Sequence, residues 1–295
     1  MSNLLDANET LQYGLLISAA YSLAAAEFSG EIGAQIPSRF DLFQRHYTII
    51  AAIYGNDLIP DLKIATSSVV SFGFVIQDKV GNVVVAFRGT EGLLEWLHDF
   101  AIWQRPCPFL AGAGFVENGF ANIYESLSVT PNLVNKLAKS ILTLNFPYPI
   151  ASLVICGHSL GGALACLLGL DLIANYGLAP SVYTFGSPRV GDSVFAKVYT
   201  THVRKSFRIA NQLDIVSQLP LQHSFARFLP QYDHVGILVN LDPFMQAQKV
   251  LPPRCEHLLS TYLFLLTSLP GLVLPQAALP ILDPACSLEF PPWLL

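Results

Sequence analysis

Residues 151–165 read ASLVICGHSLGGALA. The run 151–156 is short and largely apolar, as in a strand that is covered on both faces of a sheet. The small residues after it begin a helical pattern that ends near Gly177. Between them, Gly157-His158-Ser159-Leu160-Gly161 fits the pattern G-x-S-x-G. A strand, a tight turn and a helix form a nucleophile elbow, whose strained turn exposes the serine hydroxyl. The stretch therefore predicts a serine nucleophile at Ser159.

Strand and helix patterns alternate on both sides of this elbow. Residues 8–26 predict a helix with Asn8 as its N-cap, and 69–77 and 83–88 predict two strands of a hairpin around the turn residues DKVGN. Two further apolar runs, 181–186 and 206–210, are separated by a helical stretch. Strands that alternate with helices indicate an α/β fold with a mainly parallel sheet.

The composition excludes several classes of protein. Hydrophobic residues make up 52% of the 295 residues, charged residues only 13%, and the formal net charge is -5 at pH 7. This is too apolar for a disordered chain, lacks the basic surplus of a nucleic-acid-binding protein, and contains no apolar run long enough for a polytopic membrane protein. We expect one domain over 1–268 and a proline-rich apolar tail over 269–295. Packing of the tail on the domain is favoured over a membrane or partner contact.

The cysteines and the N-terminal residues indicate the cellular compartment in which we expect the protein. The five cysteines include no C-x-x-C pair and no zinc-type spacing. The N-terminal residues have no basic region and carry Asp6 and Glu9, unlike a secretory signal peptide. We therefore expect a protein that is cytoplasmic or peripheral to a membrane or lipid surface, with reduced thiols.

A serine nucleophile needs a base and an acid, which follow it in the order acid then histidine in this class of fold. The acids considered are Asp192, Asp214, Asp233 and Asp242, and the histidines are His202, His223, His234 and His257. Asp214 follows the strand pattern 206–210, at the strand end where catalytic loops of open α/β sheets lie. His257 precedes a helical segment after a proline-containing loop, so placement favours it, while His234 remains an alternative.

Five motifs in order resemble the class 3 (fungal-type) lipases of the α/β-hydrolase superfamily. The motifs are VVVAFRGT (83–90), CGHSLGGALA (156–165), YTFGSPRVGD (183–192), NQLDIVSQLP (211–220) and EHLLSTY (256–262). The resemblance spans roughly 15–267 and implies Ser159 as nucleophile, Asp214 as acid and His257 as base. It also implies an oxyanion hole made by Thr90 and the backbone N–H of Leu160.

The resemblance implies an α/β-hydrolase fold: a central, mainly parallel sheet flanked by helices, with a lid helix after the oxyanion loop. Residues 91–103 occupy the lid position, with apolar side chains at Leu93, Leu94, Trp96 and Leu97. An ordinary amphipathic surface helix is the alternative for this segment. One departure is Glu117, because the family usually has histidine before the Gly-Phe of its next helix.

The expected activity is that of a serine carboxylester hydrolase, a lipase that cleaves fatty-acyl esters of glycerolipids through an acyl-enzyme. The alternatives are a phospholipase A1 or galactolipase, a short-chain esterase, or a lipase-like scaffold that binds partners without catalysis. The resemblance implies no organic cofactor and no metal. The expected partners are the lipid ester substrate and, transiently, a lipid interface, with no nucleic acid; the sequence does not indicate an oligomeric state.

Overall fold

The structure is a computed structural model. It describes residues 5–56, 69–90, 103–129, 136–221, 230–241, 253–267, 271–272 and 286. Its strands are β1 (Thr48–Asn56), β2 (Val69–Gln77), β3 (Asn82–Phe87), β4 (Gln104–Pro106), β5 (Phe115–Glu117), β6 (Ser152–His158), β7 (Ser181–Phe185), β8 (Ser206–Asn211) and β9 (Ile237–Leu241). Its α-helices are α1 (Ala7–Ala24), α2 (Asn118–Ser126), α3 (Leu137–Ile141), α4 (Leu160–Tyr176), α5 (Ser193–His202), α6 (Pro253–Glu256) and α7 (Leu259–Leu266). Two 3₁₀ turns cover Ser38–Phe40 and Val216–Gln218.

Among the described residues, seven strands form a central sheet in the order β1-β2-β3-β6-β7-β8-β9. The first two pairings, β1 with β2 and β2 with β3, are antiparallel. The other four, from β3 to β9, are parallel. The predicted mainly parallel sheet and the 69–88 hairpin are therefore confirmed. The short strands β4 and β5 form a separate antiparallel pair.

Helices cover both faces of this sheet. The apolar side chains of α4 form one core with Ile155 of β6, and those of α1 and α7 form a second core with Val154 and Cys156 of the same strand. Successive side chains of a strand point to opposite faces, so β6 is buried on both. This explains why its sequence is a nearly continuous apolar run rather than an alternating one.

The start of α1 differs from the sequence prediction. Asp6, not Asn8, is the N-cap: its side chain accepts hydrogen bonds from the backbone N–H groups of Asn8 and Glu9. Aspartate and asparagine are about equally good N-caps. Local sequence therefore cannot choose between them, and the helix begins directly after the earlier one. Its side chains at Leu11 and Leu16 are fully buried.

The expectation of reduced thiols is wrong for two cysteines. Cys255 and Cys286 form a disulfide, while Cys107, Cys156 and Cys166 are free and buried. The bond attaches residue 286 of the predicted tail to the segment just before His257. Closing a loop of 31 residues restricts the unfolded chain, and such a bond typically contributes about 2–4 kcal/mol to stability.

Several predictions fall outside the described residues. These are the lid with Leu93, Leu94, Trp96 and Leu97, and nearly all of the tail over 269–295. The lid and the division at residue 268 therefore stay predictions. Within the described ranges, no helix combines the length and apolar character needed to cross a membrane.

Candidate active site

Ser159 lies on a strained turn between β6 and α4. Its backbone has φ 59° and ψ -127°, a conformation that costs a non-glycine residue on the order of 1–3 kcal/mol. A Cβ at Gly157 would lie 2.1 Å from the carbonyl oxygen of Gly161, and one at Gly161 would lie 2.5 Å from that of Arg88. Only glycine fits at these two positions. The close backbone packing therefore explains why glycines flank the serine.

Asp214 and His257 are hydrogen-bonded to each other at the carboxyl end of the sheet. His257 Nδ1 lies 2.7 Å from Asp214 Oδ2, and both residues are buried. Asp214 follows β8, whereas His257 lies between α6 and α7. Because the carboxylate only accepts, Nδ1 carries a hydrogen. The other ring nitrogen, Nε2, is the one left to accept a proton.

Two further donors fix the carboxylate of Asp214. The backbone N–H of Val216 donates to Oδ1 at 2.9 Å, and the Tyr262 hydroxyl donates to Oδ2 at 2.6 Å. Gly186 closes the other side, since a Cβ there would lie 3.0 Å from Asp214 Oδ2 and 3.2 Å from His257 Cε1. Because Ser159 N–H donates to the carbonyl of Phe185, the elbow and the acid–base pair meet at the end of β7.

The predicted oxyanion residues lie beside the serine. A Cβ at Gly89 would be 2.9 Å from Ser159 Cβ, so the chain just before Thr90 packs directly against the nucleophile. Arg88 anchors this loop by donating to the carbonyls of Ser71 and Gly89. Leu160 is the first residue of α4. Its N–H is one of the helix-end donors without an intrahelical partner, at the end of the helix that favours negative charge.

Three buried polar atoms at this place have no hydrogen-bond partner among the described residues. They are Ser159 Oγ, His257 Nε2 and Thr90 Oγ1. An unsatisfied buried polar atom is costly and in a native structure usually has a functional reason. The structure thus forms no Ser159–His257 hydrogen bond, and catalytic hydrogen bonds often tighten only when substrate is bound. The three groups are the predicted nucleophile, the predicted base and a predicted oxyanion donor.

Three of the other candidate acids and bases have other roles or environments. Asp192 caps α5 by accepting from the N–H of Phe195, and His202 is exposed at the end of the same helix. Burial and the nearby Arg208 and Arg189 lower the pKa of His234 to about 3, so it stays neutral. His223 and Asp242 lie outside the described residues.

Three residues that contact the elbow, Asp214 or His257 were not predicted from the sequence: Tyr21, His158 and Tyr262. Tyr21 comes from α1, and its hydroxyl lies 2.8 Å from His158 Nδ1. The only sequence signal for Tyr262 was its place in the EHLLSTY motif. A buried tyrosine usually finds a partner for its hydroxyl, but a sequence does not say which one.

Glu117 is the last residue of β5 and the N-cap of α2. Its carboxylate accepts from the backbone N–H of Phe120 at 2.6 Å. It is almost fully buried, and this burial raises its pKa from 4.5 to about 7, while hydrogen bonds from the Gly119 and Phe120 backbones limit the rise. The position where the family usually has histidine thus holds a carboxyl group whose pKa is about 7.

The raised pKa of Glu117 predicts that the contribution of this residue to stability falls as pH rises. Between about pH 4.5 and pH 7 the folded protein holds a proton on Glu117 that the unfolded chain releases, so the contribution of Glu117 to the free energy of unfolding decreases over this range. A pKa difference of about 2.5 corresponds to about 3 kcal/mol. Glu117→Gln keeps a cap acceptor but no charge. We expect it to unfold at higher urea concentration than the native protein at pH 8, and at a similar one at pH 4.5.

The exposed Glu31 provides the control. Glu31→Gln removes one carboxylate from the surface and should leave the dependence of the urea midpoint on pH unchanged. An unaltered dependence in Glu117→Gln would contradict the assignment of the buried proton to residue 117.

Comparison with known proteins finds similarity to lipases and phospholipases. The family model described as Lipase (class 3) matches residues 84–224. The chain is 32% identical over 152 residues to the secreted mono- and diacylglycerol lipase 1 of Fusarium solani, covering 51% of this chain and 43% of that protein. It is 32% identical over 180 residues to the chloroplastic phospholipase A(1) DAD1 of Arabidopsis thaliana, covering 55% of this chain and 40% of that one. The chain thus spans less than half the length of these two relatives.

Among solved structures, the nonglycosylated LIP2 lipase of Yarrowia lipolytica matches with a TM-score of 0.61 and 25% identity, over 80% of this chain and 79% of that one. The mainly parallel sheet and the elbow between β6 and α4 are the arrangement of an α/β-hydrolase fold. The family match over residues 84–224 and the ordered motifs show that the chain is similar to the class 3 lipases.

Proposed function

We propose that this protein is a serine carboxylester hydrolase that cleaves fatty-acyl esters of glycerolipids. The observation that carries the proposal is the buried Asp214–His257 pair beside a serine on a strained turn. The buried Oγ of Ser159 and the buried Nε2 of His257 have no hydrogen-bond partner in the described part of the chain. A base whose orientation is fixed, next to an unengaged hydroxyl, is the arrangement that activates a serine.

The acylation step depends on which ring nitrogen of His257 is free to accept a proton. Since His257 Nδ1 is bonded to Asp214, Nε2 takes the proton as Ser159 Oγ attacks the ester carbonyl. The buried carboxylate stabilises the imidazolium that forms. The tetrahedral oxyanion is held by Thr90 and by the N–H of Leu160 at the positive end of α4. His257 then protonates the leaving alcohol, and Ser159 carries the acyl group.

Deacylation repeats these steps with water. His257 Nε2 removes a proton from the water that attacks the acyl ester, and the same oxyanion donors hold the second tetrahedral intermediate. The imidazolium returns the proton to Ser159 Oγ, and the fatty acid leaves. The donors need no rearrangement between the two halves because the elbow and Arg88 fix them. Removing one such donor typically costs about 2.7–4 kcal/mol of transition-state stabilisation.

The substrate class is supported by what the relatives are named for. Their names include mono- and diacylglycerol lipase and phospholipase A1, so the shared chemistry is hydrolysis of a glycerolipid acyl ester. A phospholipase A1 or galactolipase is the alternative within this class, and a short-chain esterase is another. The proposal includes transient contact with a lipid surface, where such substrates lie.

Active-site labelling followed by substrate comparison tests this function. A fluorophosphonate is expected to form one covalent adduct, which mass spectrometry of the peptide should locate on Ser159, and Ser159→Ala should form none. Rates on dispersed triacylglycerol, diacylglycerol, phosphatidylcholine, galactolipid and a short soluble ester then rank the substrates. An unlabelled native protein would support the non-catalytic scaffold, and a preference for the short ester would contradict the lipid substrate.

A further inference from the structure

Three hydrogen bonds join the oxyanion loop to the main chain of His257. The backbone N–H of Gly89 donates to the Tyr21 hydroxyl at 2.8 Å. The same hydroxyl lies 2.8 Å from His158 Nδ1. On the other side of the ring, His158 Nε2 lies 2.8 Å from the carbonyl oxygen of His257. We call Tyr21 and His158 together the bridge.

The direction of each bond follows from the groups at its ends. The carbonyl oxygen of His257 can only accept, so His158 Nε2 carries a hydrogen. Burial, together with the neighbouring His257, lowers the pKa of His158 well below 6.5, so the ring is neutral and its Nδ1 is an acceptor. Tyr21 therefore donates its hydrogen to Nδ1 and uses a lone pair for the N–H of Gly89. Every donor and acceptor in these three hydrogen bonds therefore has a partner.

The hydrogen bonds of the bridge connect three segments of the proposed site, and none of them involves Ser159 Oγ or His257 Nε2. Gly89 precedes the oxyanion residue Thr90, His158 precedes the nucleophile Ser159, and the accepting carbonyl belongs to the base itself. The rings of His158 and His257 also pack against each other at a tilt, with centroids 4.7 Å apart and planes 32° apart. The bridge thus links three segments that are far apart in sequence.

We propose that Tyr21 and His158 are positioning residues that hold the oxyanion loop and the catalytic imidazole in register with Ser159. The proposal rests on the proposed hydrolase function and extends it. A displacement of about 1 Å in such a site can cost about 100-fold in rate. Without the Tyr21 hydroxyl, the N–H of Gly89 and Nδ1 of His158 lose their shared partner, and the loop and ring are free to move apart.

A neutral ring suits this role because it does not change charge near neutral pH. A charged His158 would donate from both nitrogens, and Tyr21 could then not accept from Gly89 and also donate to the ring. Burial prevents this, so the bridge keeps the same hydrogen bonds across the range in which an ordinary histidine titrates.

Tyr21→Phe is the first test, with Tyr13→Phe as its matched control. Both residues are on α1, but Tyr13 packs against Tyr183, away from the elbow. We expect Tyr21→Phe to lower kcat roughly 10- to 100-fold while KM changes less than about twofold, because the substrate contacts are intact. Tyr13→Phe should keep both parameters within about twofold. A kcat for Tyr21→Phe within twofold of the native value, or an equal loss in Tyr13→Phe, would overturn the proposal.

A pair of substitutions at residue 158 tests the bridge independently, whether or not Tyr21→Phe folds. His158→Gln keeps both a carbonyl acceptor for Tyr21 and an N–H donor for His257, whereas His158→Leu has neither. We expect kcat of the leucine variant to be at least about tenfold below that of the glutamine variant, again without a matching change in KM. Equal kcat values in the two would overturn the proposal.

Fluorophosphonate labelling separates failure of the bridge from failure of the proposed hydrolase function. If the function is right, the native protein labels at Ser159, and Tyr21→Phe labels to the same final extent but roughly 10- to 100-fold more slowly. Native labelling with an unchanged rate in Tyr21→Phe would contradict the bridge alone. An unlabelled native protein would contradict the function itself, and the bridge with it.

Discussion

Ser159→Ala is expected to lower kcat for ester hydrolysis about a millionfold, the loss typical when the nucleophile of such a relay is removed. Alanine cannot form the acyl-enzyme, and water in its place is neither held nor deprotonated at the same geometry. What remains comes from the oxyanion donors and substrate binding, which alone give about 10³- to 10⁴-fold over the uncatalysed reaction. The rate should be measured on the best substrate of the comparison panel.

The same substitution should leave the protein at least as stable as before. The Oγ of Ser159 is buried and makes no hydrogen bond to the described residues, so removing it relieves a desolvated polar atom, an effect of up to about 1–3 kcal/mol. Thermal unfolding should therefore show an equal or higher midpoint. A large loss of activity with a lower midpoint would indicate damage to the fold rather than loss of a nucleophile.

Another buried serine provides the control. Ser206 lies at the start of β8, where its hydroxyl bonds to that of Tyr199, away from the elbow. Ser206→Ala should keep kcat within about threefold of the native value, at the cost of about 0.5–1.5 kcal/mol of stability from the lost hydrogen bond. Opposite responses of activity and stability in the two serine variants would separate a functional serine from a structural one.

The elbow and the sheet could be predicted because their determinants are local. The run before Ser159 must be apolar since β6 is covered on both faces, and the residues beside it must be small since strand and helix backbones touch. Each requirement appears within a few residues of the serine. The alternation of strands and helices then indicated the parallel sheet.

The acid and the base were harder to choose because their meeting depends on distant segments. Strand-end placement favoured Asp214, but the choice of His257 over His234 depended mainly on the resemblance. The structure distinguishes the two rings by their partners: His257 contacts a carboxylate, whereas His234 lies near Arg189 and Arg208. Neither environment is encoded next to the histidine.

The remaining features depend on contacts that no local pattern carries. The partner of Cys255 lies 31 residues away in a proline-rich tail, and Tyr21 reaches the site from the first helix. An apolar helix pattern shows that α1 packs on the sheet, but not that one of its hydroxyls contacts Gly89. Pairings of this kind are set by how whole elements dock, so the structure was needed to find them.

Asp214→Asn is expected to lower kcat about 10⁴-fold while preserving the shape of the site. Three donors converge on the carboxylate: the N–H of Val216, Nδ1–H of His257 and the hydroxyl of Tyr262. Asparagine offers one oxygen and one NH₂ group in place of two oxygens. An NH₂ group facing Val216 would oppose another donor. Facing His257, it would require an unprotonated Nδ1 and move the ring hydrogen to Nε2.

An Nε2 that already carries a hydrogen cannot take the proton of Ser159, so the loss should appear in kcat with little change in KM. The control is Asp192→Asn at another of the candidate acids. Asp192 caps α5, and asparagine caps a helix about equally well, so that variant should stay within about twofold of the native kcat. Comparable losses in the two variants would contradict Asp214 as the acid. A 10⁴-fold difference between these two isosteric changes would assign the orienting charge to position 214, since both remove one carboxylate and neither removes a side chain.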